Sequence, residues 1–422
     1  MLGEGYSTMS NAVRRLKRVL THLQTVWSIV GITLVLIVFM EIGLRVLFAA
    51  RDRMTAEPMP DRRIVAEGYG GEAWLVDHYR ELGRLQDRWQ PYVYFRQKPF
   101  RGKTINIGTD GLRATWSAPP LPSDPSGRRS FKILMLGGSS LWGFGARDDQ
   151  TIPSLLARSL HKQGWRAEIK NLAEIGYVST QEVIALTREL RAGYRPDLVV
   201  FYDGVNDTTS ALLEGEPGLT TNEVNRRNEF NLLQSPARLA SALVVSLVKD
   251  SGSNRFAEML RHRLVGDTAP PRAVMLKVPD VPEGVVLQFE GNVMLVEALG
   301  KSFGFRPLFF WQPTVFTKPA LVPVEQEEAL RFAWAESFMN QVYDEVRRSP
   351  RLKSDPAFHD LSTIFDDIDG LAFIDYCHTT ETANARIASE MTATVVKLLS
   401  SGVSDGQKSA GVDRERRTDE VE

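Results

Sequence analysis

The sequence predicts an α/β fold: a three-layer α/β/α domain on a parallel five-stranded sheet, preceded by one N-terminal transmembrane helix. Two observations predict it. Between residues 131 and 400, short apolar runs alternate with segments of helical periodicity. Such alternation implies a parallel sheet covered by helices on both faces. Near the N-terminus, residues 26–40 (VWSIVGITLVLIVFM) carry no charge, as a helix in lipid requires.

The membrane helix comes first. Read from residue 25 to 49, it is about 37 Å long at ~1.5 Å per residue, against a hydrocarbon core of ~30 Å. Glu41 and Arg45 stand four apart on one face, where they can pair near an interface. Arg14, Arg15, Lys17 and Arg18 precede the helix, and Arg51 and Arg53 follow it. The positive-inside rule therefore places residues 1–24 in the cytoplasm and residues after 50 outside it, on the periplasmic side in a Gram-negative cell. A cleaved signal peptide is the competing reading. Its apolar core is normally shorter, and Phe48-Ala49-Ala50 is a poor cleavage site.

Residues 50–130 read as an irregular juxtamembrane lead-in and linker. The aromatic run at 89–95 (WQPYVYF) is expected to pack this lead-in onto the main domain. Asp110-Gly111 marks a turn between short extended runs, and 119–127 (PPLPSDPSG) reads as a linker. The β/α pattern then begins. Residues 131–136 form strand one and 152–163 a helix. Residues 167–172 form strand two and 180–192 a helix. Residues 196–202 form strand three, 290–303 a helix and 306–311 strand four. A short fifth strand is expected at 373–375, then a helix from about 382 to 399. Residues 208–285 break the alternation and read either as a lid over the site or as a surface excursion. The polar segment 401–422 reads as a disordered tail.

Composition narrows the function. A net charge of −1 argues against a nucleic-acid partner, since phosphate binding needs a basic excess. The single cysteine, Cys377, cannot make an internal disulfide. The six histidines are scattered without HxxxH spacing, so no metal is expected, nor any other cofactor.

Four motifs fall at the carboxyl ends of predicted strands, where open α/β sheets bind ligands. Gly137-Gly138-Ser139-Ser140 lets the backbone turn sharply and expose a serine hydroxyl. Gly176 can bring its N–H close to an oxyanion. Asn206, in Gly204-Val205-Asn206-Asp207, offers an N–H donor that needs no ionisation. Asp375-Tyr376-Cys377-His378 lets a carboxylate hold one imidazole tautomer, so that Nε2 can take a proton from serine. Read alone, each also fits an ordinary turn or helix cap.

In this order the motifs resemble the SGNH hydrolase family, the GDSL-like lipases and esterases. The N-terminal helix and Asp110-Gly111-Leu112-Arg113 look like its bacterial membrane-anchored members. The resemblance covers about residues 131–400 and implies a flavodoxin-like domain. It implies Ser139 as nucleophile, His378 as base and Asp375 as its orienting carboxylate. It further implies an oxyanion hole of Ser139, Gly176 and Asn206. Gly138 stands where aspartate is frequent in the family, and Ala383 where glycine is frequent; neither belongs to the triad.

The expected function is a membrane-anchored serine esterase working through an acyl-enzyme. Its expected substrate is an ester or acylated glycan, such as an O-acetylated envelope or exported polymer. Transfer of the acyl group to a glycan would use the same triad, making the chain an O-acyltransferase. A phospholipase would need an apolar groove, for which 239–248 (LASALVVSLV) is the candidate lining. A non-catalytic envelope protein that binds a glycan or a partner is the alternative outside catalysis.

Overall fold

The computed structural model describes residues 4–54, 72–119, 131–232, 234–236, 239–241, 249, 251–265 and 280–418. Most of the 119–127 linker and of the 239–248 stretch, and the last four residues of the tail, lie outside the described residues. The chain divides into two compact units, residues 1–58 with 226–269 and residues 59–225 with 270–422.

The first unit begins with α1 (Glu4–Met54), one continuous helix. No proline interrupts it, so it extends beyond the expected 25–49 at both ends. Its stretch Leu20–Arg51 has a mean hydropathy of 2.3 and is almost wholly exposed. That is long and apolar enough to cross a membrane.

The second unit opens with order where the sequence suggested irregularity. Helix α2 (Ala73–Leu82) buries Leu75, His78 and Tyr79 on one face. Strands β1 (Asp87–Gln90) and β2 (Tyr94–Gln97) form an antiparallel hairpin, and β3 (Phe100–Arg101) pairs with β4 (Asn106–Ile107). The aromatic run divides its labour. Trp89 and Tyr92 are exposed, whereas Val93 is buried and Phe95 sets its ring edge-on to Tyr177. The Asp110-Gly111 turn is present: Gly111 has φ +85°, and Asp110 Oδ1 accepts from the Leu112 N–H at 3.0 Å.

The main sheet contains β5 (Phe131–Gly137), β6 (Ala167–Asn171), β7 (Leu198–Asp203), β8 (Arg306–Trp311) and β9 (Phe358–Asp360), ordered β6-β5-β7-β8-β9. All pairings are parallel. Side chains alternate across β5: Ile133 and Met135 enter one hydrophobic cluster, Leu134 and Leu136 the other. Central β7 is buried along its whole length, because helices cover both faces.

Between and after the strands run α3 (Ser139–Trp142), α4 (Ile152–Lys162), α5 (Ser179–Arg191), α6 (Val205–Glu214) and α7 (Glu223–Leu232). Then come α8 (Gly252–Val265), which belongs to the first unit, and α9 (Val281–Phe303), α10 (Pro323–Arg331), α11 (Ala333–Arg348), α12 (Pro350–Ser354) and α13 (Glu381–Thr418).

One expectation needs correction. The fifth strand is β9, not residues 373–375, which make only an isolated bridge between Phe373 and Thr379. The backbone N–H groups of Ala372 and Phe373 instead donate to the Glu325 carboxylate at 2.8 and 3.0 Å. A side chain thus takes the place of a strand neighbour. The last helix runs on to Thr418. Its buried stripe includes Ile387, Met391, Val395 and Leu399.

Candidate active site

Strand β5 ends at Gly137, Gly138 caps the next turn, and Ser139 is the first residue of α3. A first-turn N–H has no acceptor within its own helix, so the Ser139 N–H is available to a ligand. The Ser139 hydroxyl lies 2.7 Å from His378 Nε2, and His378 Nδ1 lies 2.7 Å from Asp375 Oδ2. The other carboxylate oxygen of Asp375 accepts from the N–H groups of Cys377 (3.0 Å) and His378 (2.8 Å).

Burial acts to raise the Asp375 carboxyl. The neighbouring His378 and the three N–H donors outweigh it and bring the group down to about 2. Asp375 is therefore an ionised acceptor, which places the imidazole proton on Nδ1 and leaves Nε2 to accept from the serine. Phe144 stacks on the His378 ring with centroids 4.3 Å apart and planes 24° apart, fixing its orientation. Asp375, Cys377 and His378 bring potential metal-binding atoms within 4.8 Å of one another. The set suits a metal poorly: burial pushes the Cys377 thiol well above its ordinary value, and the carboxylate is engaged with Nδ1.

The two remaining expected residues lie beside this chain. Asn206 is the second residue of α6, and its amide donates to the Tyr177 carbonyl at 2.7 Å. That bond sets the amide plane and leaves a second N–H free to bond elsewhere. The amide packs on the backbone before the serine: a Cβ added at Gly138 would stand 2.1 Å from Asn206 Nδ2. Gly176 has φ +79° and faces open space. The turn that delivers Asn206 rests on Gly204, whose φ is +122° and whose added Cβ would strike the Trp311 ring at 2.7 Å. Asp207 ties this turn to the start of α5, accepting from the Ser179 hydroxyl at 2.5 Å. Burial pushes Asp207 up to about 6.

Several residues that hold this arrangement carry no mark in the sequence. Buried Arg113 donates to the carbonyls of Trp142 at 3.1 Å, Gly143 and Ala146, closing the turn after Ser139. It also pairs with Asp148 at 2.9 Å and lies over the Trp142 ring at 4.3 Å. His78 Nε2 sits 2.8 Å from the Phe144 carbonyl. Arg96 donates to the Leu172 carbonyl at 3.0 Å, and the Gln97 N–H to Glu174 at 3.2 Å. Tyr177 donates to the Phe95 carbonyl. The lead-in thus clamps both the Ser139 turn and the loop bearing Gly176. Opposite, buried Lys318 pairs with Glu325 at 2.6 Å and donates to the Gly370 carbonyl at 2.8 Å, holding the loop that bears Asp375. The exception is Arg113, whose Asp110-Gly111-Leu112-Arg113 motif reads as a turn and as a likeness to membrane-anchored members of the family, with no role at the site attached to it.

No protein-family model matches the sequence, and no curated protein matches it. Solved structures similar to this chain include an acetyl xylan esterase, at 13% identity and a TM-score of 0.35, covering 63% of this chain and 100% of that one. A psychrotrophic esterase from Pseudoalteromonas sp. is similar at 14% identity and a TM-score of 0.32, covering 64% of this chain and 98% of that one. A member of the lipolytic protein G-D-S-L family from Veillonella parvula is similar at 9% identity and a TM-score of 0.35, covering 61% of this chain and 94% of that one.

Proposed function

We propose that the chain is a membrane-anchored serine esterase of the SGNH type. The observation that carries the proposal is the unbroken relay Ser139 Oγ, His378 Nε2, His378 Nδ1, Asp375 Oδ2, with both links at 2.7 Å. Ser139 attacks the ester carbonyl as His378 accepts its proton, and Asp375 stabilises the resulting imidazolium. The tetrahedral oxyanion is received by the N–H groups of Ser139 and Gly176 and by the Asn206 amide. One such donor is worth ~3 kcal/mol in the transition state. Collapse returns the proton from His378 to the leaving alcohol and leaves an acyl-serine, which water hydrolyses with His378 again as base.

The anchor is α1, with basic residues concentrated on its N-terminal side, so the catalytic domain works outside the cytoplasm. That location supports short acyl esters, acetyl foremost, on envelope or exported glycans as the substrate class.

Ser139→Ala tests the reading. The variant is expected to lose p-nitrophenyl acetate hydrolysis and labelling by a fluorophosphonate while keeping the wild-type melting temperature. Undiminished labelling removes Ser139 from the nucleophile role. Supplying a glycan acceptor during turnover separates hydrolysis from transfer: an esterase releases free acetate with or without it.

A further inference from the structure

Glu41 is a carboxylate in an otherwise lipid-facing helix, and its partners show what lies against it. No Asp, Glu, Lys or Arg occurs between Arg18 and Glu41. Those residues span about 33 Å at ~1.5 Å each, which matches a hydrocarbon core of ~30 Å. Glu41 therefore marks the level at which α1 leaves the lipid. There it pairs with Arg45 at 2.6 Å and accepts from the first groups of α8: the N–H of Gly252 at 2.7 Å, the N–H of Ser253 at 3.1 Å and the Ser253 hydroxyl at 2.9 Å. The start of a helix offers unpaired N–H donors and a partial positive charge, so the carboxylate and the helix end satisfy each other.

The two helices touch backbone to backbone at this point. A Cβ added at Gly252 would stand 2.9 Å from Leu44 Cβ and 3.1 Å from the Arg45 nitrogen. The contact continues outward. The Arg255 guanidinium lies 4.8 Å over the Phe48 ring, and Arg51 donates to Met259 Sδ at 3.4 Å. Helix α8 thus starts at the level of Glu41 and follows α1 away from the hydrocarbon core. Phe256 and Leu260, one turn apart on α8, stay exposed. Residues 249–265 contain four Lys or Arg against two Asp or Glu, and the sequence just before them, 239–248, is apolar. An exposed apolar pair beside a basic excess suits the boundary between acyl chains and anionic headgroups.

We infer that the segment 251–265, inserted between β7 and β8, is a second membrane-contacting element, docked on α1 through Glu41 and Gly252 and presenting Phe256 and Leu260 to the lipid interface. This rests on the reading of α1 as a membrane anchor, and the test separates the two. Nitroxide labels are placed singly at Ile37→Cys, Phe256→Cys, Leu260→Cys and Leu330→Cys in the full chain, in vesicles of phosphatidylethanolamine and phosphatidylglycerol. Power saturation then compares collision with oxygen, which enriches in lipid, and with a water-soluble nickel chelate. Labels at 256 and 260 are expected to favour oxygen several-fold over the label at 330, though less than the label at 37. Adding Gly252→Val is expected to return the label at 256 to the value at 330 and leave the label at 37 unmoved. Lipid exposure at 37 with aqueous values at 256 and 260 overturns the inference and keeps the anchor. An aqueous value at 37 overturns both. An unmoved label at 256 in the Gly252→Val chain overturns the docking.

Discussion

A methyl group at position 138 would come within 2.1 Å of Asn206 Nδ2, which gives the least conspicuous residue of the site a definite role. Contacts that close do not occur, so the Asn206 amide would have to move away from the serine turn. Gly138→Ala is therefore expected to lower kcat roughly 100-fold, the usual cost of losing one oxyanion donor, with KM and melting temperature little changed. Steady-state kinetics on p-nitrophenyl acetate check this, and a kcat within threefold of wild type would show that Asn206 acts from another position. Residues of this kind set the limit of what the sequence says. Ser139, Asp375 and His378 were legible because their chemistry admits few residue types and their order is distinctive. The glycine at 138 read as a neutral departure from the family pattern, since nothing local records which side chain lies against it.

Single elements bear on the site through buried acids. Glu174, in the loop that carries Gly176, is fully buried. Burial raises its carboxyl to about 7, despite Arg96 and the N–H donors of Ile175 and Gln97, which act to lower it. The native state therefore keeps a proton that the unfolded chain releases near the ordinary carboxylate value. Stability contributed by neutral Glu174 is complete below about pH 4.5 and declines as the pH rises towards 7. Buried Glu182, Asp203 and Asp207 are also raised and push in the same direction. Comparing Glu174→Gln with wild type isolates its share. The fall in melting temperature from pH 5 to pH 8 should shrink by on the order of 5 °C in the variant. An identical fall in both proteins would mean that Glu174 titrates normally. The loop bearing Asp375 shows why elements were only partly legible. Four strands lie at the expected places, three of them as apolar runs. Residues 373–375 looked like a fifth, but the Phe373 N–H, like that of Ala372 before it, is taken by the Glu325 side chain, and the Ile374 N–H goes to the His378 carbonyl. The true edge strand, β9, is three residues long and partly exposed, too short to leave a period.

For the molecule as a whole, the segment before the sheet belongs to the same compact unit as the sheet. The sequence reading drew the domain at residue 131, because the β/α alternation starts there and the family resemblance covers no more. The buried contacts draw it earlier. Arg113 supplies donors to three carbonyls behind Ser139, His78 engages the carbonyl of the residue that stacks on His378, and Arg96 and Gln97 meet buried Glu174. A chain beginning at residue 131 would leave these groups unsatisfied, at about 1–3 kcal/mol each, against a total stability of about 5–15 kcal/mol for a typical domain. A chain beginning at residue 72 keeps every one of them. Expressed in detergent, with residues 226–269 retained in both, the chain from 72 is expected to hydrolyse p-nitrophenyl acetate within a few-fold of the full-length rate. The chain from 131 is expected to be inactive, without a cooperative thermal transition. If the shorter chain melts cooperatively and turns over substrate, the lead-in merely covers the site, and the nucleophile turn is held by the sheet alone.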